Sequence, residues 1–175
     1  MPEQIEEYLI ALEERETTVR RALDNRTLQE PLRLLNPRSP LTVPPAATLR
    51  QAIDIMREHH VGCVLVAEDE RLIGILTERD LLLKLEGAGL GRPVSDLMTA
   101  DPETLSPDDP IAWALNRMSV GGYRHVPLVD ATGRPVGILS VKDIVHYIVA
   151  LFPNEVLTLP PDPAKRGICA ERDGA

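Results

Sequence analysis

The segment Gly74-Ile75-Leu76-Thr77-Glu78-Arg79-Asp80 recurs as Gly137-Ile138-Leu139-Ser140-Val141-Lys142-Asp143, 63 residues later. Both copies run from an apolar triplet to a hydroxyl residue, with an Asp three positions on. An internal repeat constrains architecture before any other property of the chain. It predicts one supersecondary unit made twice and related by a pseudo-two-fold axis. Any site built by the motif should then also exist twice.

The repeat extends well beyond the motif. Pro102, Thr104, Pro107, Ala114 and Met118 match Pro40, Thr42, Pro45, Ala52 and Met56 at an offset of 62. One residue is inserted near Gly121-Gly122. Leu128, Val129, Arg134, Gly137, Ile138, Leu139 and Asp143 then match Leu65, Val66, Arg71, Gly74, Ile75, Leu76 and Asp80 at 63.

Within each copy the pattern reads strand–helix–strand–strand–helix. The proline-bounded stretch 40–45 is extended, because Pro fixes φ and restricts its predecessor. Thr48 precedes Leu49, Ala52, Ile53 and Met56, the i, i+3, i+4, i+7 face of a helix. Val61 to Val66 is a short apolar run, read as a buried strand. Arg71 to Leu76 returns, and Thr77 opens a helix. In the second copy Ile111, Ala114, Leu115 and Met118 repeat the helix face, with Trp113 beside it as a core or interface residue. Asp130-Ala131-Thr132-Gly133 is a hairpin turn. A unit of about 60 residues buries too little surface to stand comfortably alone, so the two units are expected to pack sheet against sheet. The expectation is a mixed α/β (α+β) fold of two βαββα repeats at 36–92 and 93–152. An N-terminal helical extension at 1–35 and an extended or disordered tail at 153–175 flank them. Ile5, Leu9, Leu12, Val19 and Leu23 give residues 3–24 an apolar helical stripe. Thr27 to Leu35 is a shorter stretch that stops at Asn36-Pro37.

Composition narrows the function. A net charge of −8 opposes general binding to nucleic acid or to an acidic membrane. No apolar run approaches the ~18 residues of a membrane span, and no signal peptide is evident, so a soluble, cytoplasmic chain is expected. Two cysteines, Cys63 and Cys169, build neither a disulfide framework nor a four-ligand metal site. His59, His60 and Cys63 lack a clear further metal ligand. Ser140, His125 and Asp143 are triad residue types without a nucleophile elbow. No catalytic cofactor and no enzyme activity are expected.

Thr77-x-x-Asp80 and Ser140-x-x-Asp143 are both capping boxes. Holding the first turn of a helix would account for all four residues without a ligand. The same geometry also presents free N–H groups and a carboxylate to a cleft. A carboxylate there can accept from the two hydroxyls of a ribose.

The paired G-I-L-[ST]-x-x-D motif, the leading Thr-Val and Thr-Leu segments and the Pro127-Leu128-Val129-Asp130 strand resemble a tandem CBS-domain pair, or Bateman module. The resemblance covers roughly residues 36–152 and suggests a stand-alone pair with no enzyme domain. It implies a regulatory module that binds an adenosine-containing ligand (AMP, ADP or ATP, less readily S-adenosylmethionine or a dinucleotide). Thr77 with Asp80, and Ser140 with Asp143, would hold ribose. Thr42, Val43, Cys63 and Val64 would form one adenine slot, and Thr104, Leu105, Val126 and Pro127 the other. Core packing is the alternative reading of those side chains. Arg124, His125, Lys142 and Arg79 would face phosphate, against the alternative of plain solvated charges. The resemblance further implies a homodimer and an unidentified target protein. A structural or protein-interaction module is the competing reading.

Overall fold

The computed structural model describes residues 25–85 and 89–151. The stripe at 3–24 and the tail at 153–175 lie outside them. A one-turn helix α1 (Asn25–Leu28) leads to a 3-10 turn at Leu32–Leu35. The first repeat supplies β1 (Thr42–Val43), α2 (Leu49–Glu58), β2 (Cys63–Glu68), β3 (Arg71–Thr77) and α3 (Glu78–Lys84). A second 3-10 turn at Val94–Asp96 and β4 (Thr99–Ala100) follow. The second repeat supplies α4 (Ile111–Val120), β5 (His125–Val129), β6 (Pro135–Ser140) and α5 (Val141–Leu151). No helix among the described residues is long and apolar enough to cross a membrane.

Local chemistry explains the elements. Thr48 caps α2 in a reciprocal box with Gln51, and the predicted face buries Leu49, Ala52 and Met56. β2 is buried on both sides, which is why its sequence is continuously apolar rather than alternating. Val64 and Val66 enter a first core with Leu49, Ala52, Met56 and Leu76. Cys63 and Leu65 point the other way and pack with Ile75, where Ile138 of the opposite sheet joins them. A separate core gathers Leu105, Ile111, Ala114, Val126, Leu128, Leu139 and Ile144.

The first sheet has the order β1-β2-β3-β4, with β1 parallel to β2 and the other pairs antiparallel. The second sheet is the β5–β6 hairpin. Single bridges extend it at both edges, Leu105 to Leu128 and Arg38 to Ile138. These bridges copy the positions of β1 and β4.

The two repeats exchange segments. β4 belongs by sequence to the second repeat, yet it pairs with β3 of the first, Ile75 opposite Thr99. Arg38, ahead of the first repeat's helix, pairs with β6 of the second. The 3-10 turns behave alike. Val94 and Leu97 complete the first core, whereas Leu32 and Leu35 complete the second. Their anchoring bonds are related by the same offset of 62. Leu32 N–H donates to the Asp109 carbonyl (2.9 Å), as Val94 N–H does to that of Ala47 (2.8 Å). Leu32 and Leu35, which the sequence reading placed in an N-terminal extension, are thus part of the second core. The stretch read as continuous from Thr27 to Leu35 is two separate turns, because Pro31 sits between them in extended geometry.

Gly74 makes the exchange possible in the first sheet. A Cβ there would lie 2.4 Å from Met98 Sδ and 3.2 Å from the Thr99 carbonyl oxygen. A side chain there would push the Met98 side chain aside and crowd the incoming strand.

Candidate functional site

Each motif sits at the mouth of a cleft that both repeats build. The Asp80 cleft, about 430 Å³, is lined by Thr77–Asp80 of the first repeat. Opposite them stand Thr99, Asp101–Glu103 and Gly121–His125 of the second. The Asp143 cleft, about 460 Å³, reverses the contributions. Ser140–Asp143 face Arg38, Ser39, Leu41 and His60–Cys63. The shared wall between the clefts is Gly62, Arg124 and His125, which line both.

Both capping boxes form. The Thr77 N–H and hydroxyl donate to Asp80 Oδ2 (3.0 and 2.6 Å), and Thr77 Oγ1 accepts from the Asp80 N–H (3.2 Å). The Ser140 N–H and hydroxyl likewise donate to Asp143 Oδ2 (2.7 and 2.6 Å). Both carboxylates are buried, at 8% exposed each. One oxygen of each Asp is therefore committed to its helix cap, and the second oxygen decides what each cleft can do.

Those second oxygens differ. Asp80 Oδ1 is held by Lys84 Nζ at 2.6 Å and by the Thr99 hydroxyl at 3.3 Å. Lys84 is itself fixed by donating to the Leu97 carbonyl (2.9 Å). Burial works to raise the Asp80 carboxyl, but the Lys84 and Thr77 hydrogen bonds outweigh it and hold the group below the ordinary carboxylate range. In the second repeat the residue matching Lys84 is Tyr147, whose hydroxyl turns away to Glu30. The residue matching Thr99 is Pro37, which offers no donor. Among the described residues Asp143 Oδ1 has one ion-pair partner, Arg38 Nε at 3.8 Å. It keeps the capacity to accept two hydrogen bonds from a ligand.

The fixed charges differ as well. Glu78, Asp80, Asp101 and Glu103 line the first cleft against Arg79 and Arg124. Among the described residues Arg38, Arg124 and Lys142 line the second against a single carboxylate, Asp143. Arg79 also reaches across the first cleft to the Gly122 carbonyl (3.4 Å). His60 adds a further nitrogen at the second cleft and adopts a positive φ of 52°, where the matching turn uses Gly122 at 69°. A non-glycine residue held there marks a turn set by its surroundings.

The structure brings Thr77, Asp80, Arg79, Ser140, Asp143, Lys142, Arg124 and His125 to the clefts. Of the residues proposed for adenine slots, Cys63 lines the Asp143 cleft and Pro127 the Asp80 cleft. Val43 and Val64 fill the first core, and Leu105 and Val126 the second. Strand alternation explains this, since neighbours of Cys63 and Pro127 face the opposite side of their sheets. Thr42 and Thr104 line neither cleft. Leu41, Val61, Ile138 and Val141 supply the apolar surface of the Asp143 cleft instead. Cys63 is no nucleophile there, because burial first and Glu78 second push its thiol up to about 12.

The comparisons with known proteins follow the same outline. The family described as CBS domain matches residues 35–87 and 94–150. An uncharacterised 17.7 kDa protein of Acidianus ambivalens is 32% identical over 108 residues, covering 61% of this chain and 66% of that one. Among solved structures, the CBS domain protein PAE2072 from Pyrobaculum aerophilum complexed with AMP superposes with a TM-score of 0.62. It is 25% identical and covers 69% of this chain and 98% of its own. The structure of CBSX2 in complex with AMP gives a TM-score of 0.57 at 26% identity, covering 71% and 95%. With two profile matches on the two structural repeats, and with solved relatives of the same architecture, the chain belongs to the CBS-domain family and carries a tandem pair.

Proposed function

We propose that the chain is a non-catalytic regulatory module that binds an adenosine nucleotide, and that the nucleotide sits in the Asp143 cleft. The observation that carries this is the second oxygen of Asp143, turned to a cleft with three cations and committed to no cap. Oδ1 would accept from both ribose hydroxyls. Leu41, Val61, Cys63 and Ile138 would face the adenine. Arg38, Arg124 and Lys142 would take the phosphate through charge-assisted bonds. PAE2072 and CBSX2, both solved with AMP, support the ligand class. The excess of positive charge favours AMP, ADP or ATP over S-adenosylmethionine, whose sulfonium is cationic. In the Asp80 cleft, Lys84 and Thr99 occupy the oxygen that the ribose needs, so that cleft is the weaker or dedicated site.

A bound nucleotide would join the start of α5 to Arg38–Leu41 and His60–Cys63 of the first repeat. It would favour whichever arrangement of the repeats lets both sides reach it, by the difference in affinity between arrangements. The test is a thermal-shift panel of AMP, ADP, ATP, S-adenosylmethionine and a dinucleotide on nucleotide-free protein. A ligand at 100 times its dissociation constant adds about 2.7 kcal/mol of stability. The adenosine phosphates should shift the transition and S-adenosylmethionine should not. A flat response to all of them would favour the interaction-module reading.

The partner we propose is a second copy. Leu82 and Leu83 on α3 are 86% and 69% exposed, and Val145 and Ile148 on α5 are about half exposed. Val145 occupies the repeat position of Leu82, so the same outer surface is apolar in both halves. Sedimentation equilibrium should give a dimer for the native chain and a monomer for Leu82→Asp/Val145→Asp. A native monomer at high concentration would remove the proposal.

A further inference from the structure

His125 occupies an unusual position in the wall between the clefts. Strand alternation sends Val126 and Leu128 of β5 into the second core and turns His125 and Pro127 to the other face. The imidazole lies against Gly62. A Cβ on Gly62 would sit 3.2 Å from His125 Cε1 and 3.5 Å from Nε2, and 3.4 Å from Glu78 Oε2. Glycine at this point lets the ring and the Glu78 carboxylate share one narrow space.

The charges facing the ring come from every neighbouring element. Glu78 stands at the start of α3 and Asp143 in the first turn of α5. Arg124 precedes the ring in the chain, and Arg38 arrives with the exchanged segment. His60 and Lys142 line the same cleft, and Arg79 lines the other. Burial is the largest influence and holds the imidazole below its ordinary value. Arg124 and Arg38 act in the same direction, while Glu78 and Asp143 oppose them. Burial and the two guanidinium groups therefore favour the neutral ring.

We propose that His125 is the charge reader of the Asp143 cleft: it takes up a proton when a phosphate-bearing ligand is seated there, so the module prefers anionic nucleotides to nucleosides and binds them more tightly as pH falls. The proposal rests on the nucleotide reading of that cleft. Two effects act together. The phosphate adds negative charge near the ring, and it draws onto itself the two guanidinium groups that disfavour the imidazolium. A ligand that raises the proton affinity of a group must gain affinity when that group is protonated, because linkage is reciprocal. The sign is diagnostic. A phosphate with its second pKa near 6 releases protons when captured as the dianion, so net uptake must come from the protein.

The experiment is calorimetric titration of AMP, and separately of adenosine, into the full chain at pH 7.2 in PIPES and in Tris. These buffers have small and large ionisation enthalpies. AMP binding should take up a measurable fraction of a proton, and its affinity should be several-fold higher at pH 6.5 than at pH 8. Adenosine binding should show no uptake. His125→Gln should abolish uptake and pH dependence while retaining weakened binding, and His59→Gln, outside both clefts, should preserve both. AMP binding with a buffer-independent enthalpy, or uptake that survives His125→Gln, overturns the proposal alone. No AMP heat at all overturns the nucleotide reading and this inference with it. Should His125→Gln fail to fold, proton NMR titration of the native chain decides the matter. The His125 resonance must titrate at higher pH with AMP than without it.

Discussion

Asp143→Ala should lower the affinity for AMP about 100-fold. Two hydrogen bonds to a charged group are worth about 3 kcal/mol together, and every 1.4 kcal/mol is a factor of ten. The matching change in the other cleft, Asp80→Ala, should leave affinity within about twofold, because Lys84 and Thr99 already occupy the oxygen concerned. Both variants lose a capping box, so both should lose roughly 0.5–2 kcal/mol of stability. The pair thus separates ligand binding from helix capping, since both variants lose the same capping box and Asp80→Ala also loses the Lys84 and Thr99 contacts, yet only Asp143→Ala should lose binding. Calorimetry on both, with urea melts as the stability measure, checks the contrast. Equal loss of affinity in the two variants would mean that the clefts are equivalent.

Leu32→Ala should destabilise the chain by about 2–5 kcal/mol, the usual range for deleting a fully buried leucine side chain. Leu32 has no exposed surface and packs with Leu128, Leu139 and Ile144. The location of the damage is as informative as its size. Although Leu32 precedes the first repeat in the chain, its loss should open β5 and β6, while β2 and β3 stay protected. Hydrogen exchange on the native and variant chains reads this directly. Val94→Ala, at the matching position, should do the reverse and loosen the first sheet. A loss below about 0.5 kcal/mol, or exchange confined to the first sheet, would contradict the exchanged-segment architecture.

These residues also show what the sequence made legible. The motif pair carried the capping boxes, because a hydroxyl and an Asp three apart at a strand end are a local signal that needs no tertiary context. The core faces of α2 and α4 and the doubly buried β2 run were equally local, as was the Asp130 turn, where the carboxylate accepts from the Thr132 and Arg134 amides. The exchange was not local. Nothing in Leu32 or Arg38 itself says which repeat it joins, although Leu32 and Leu35 do stand 62 residues from Val94 and Leu97. Arg38 therefore carries no local sign of its place in the cleft. Lys84 carried a readable signal, since it lies four residues after Asp80 on one helix face, and the absence of a lysine at Tyr147 was equally visible. Four of the eight adenine-slot residues, Val43, Val64, Leu105 and Val126, face the cores because a shift of one position along a strand reverses the side chain.

The inequality of the two clefts is the centre of the account. At the carboxylates it arises from two positions that break the internal repeat, Lys84 against Tyr147 and Thr99 against Pro37. The repeat supplied two equal frames, and these substitutions tied up one carboxylate and left the other open.

The most direct measurement is a crystal structure of the full chain grown with AMP. The account predicts one nucleotide per chain in the Asp143 cleft, with both ribose hydroxyls on Asp143 Oδ1, the phosphate among Arg38, Arg124 and Lys142, and the Lys84–Asp80 pair intact. A ribose held by Asp80, with Lys84 displaced and the Asp143 cleft vacant, would contradict it.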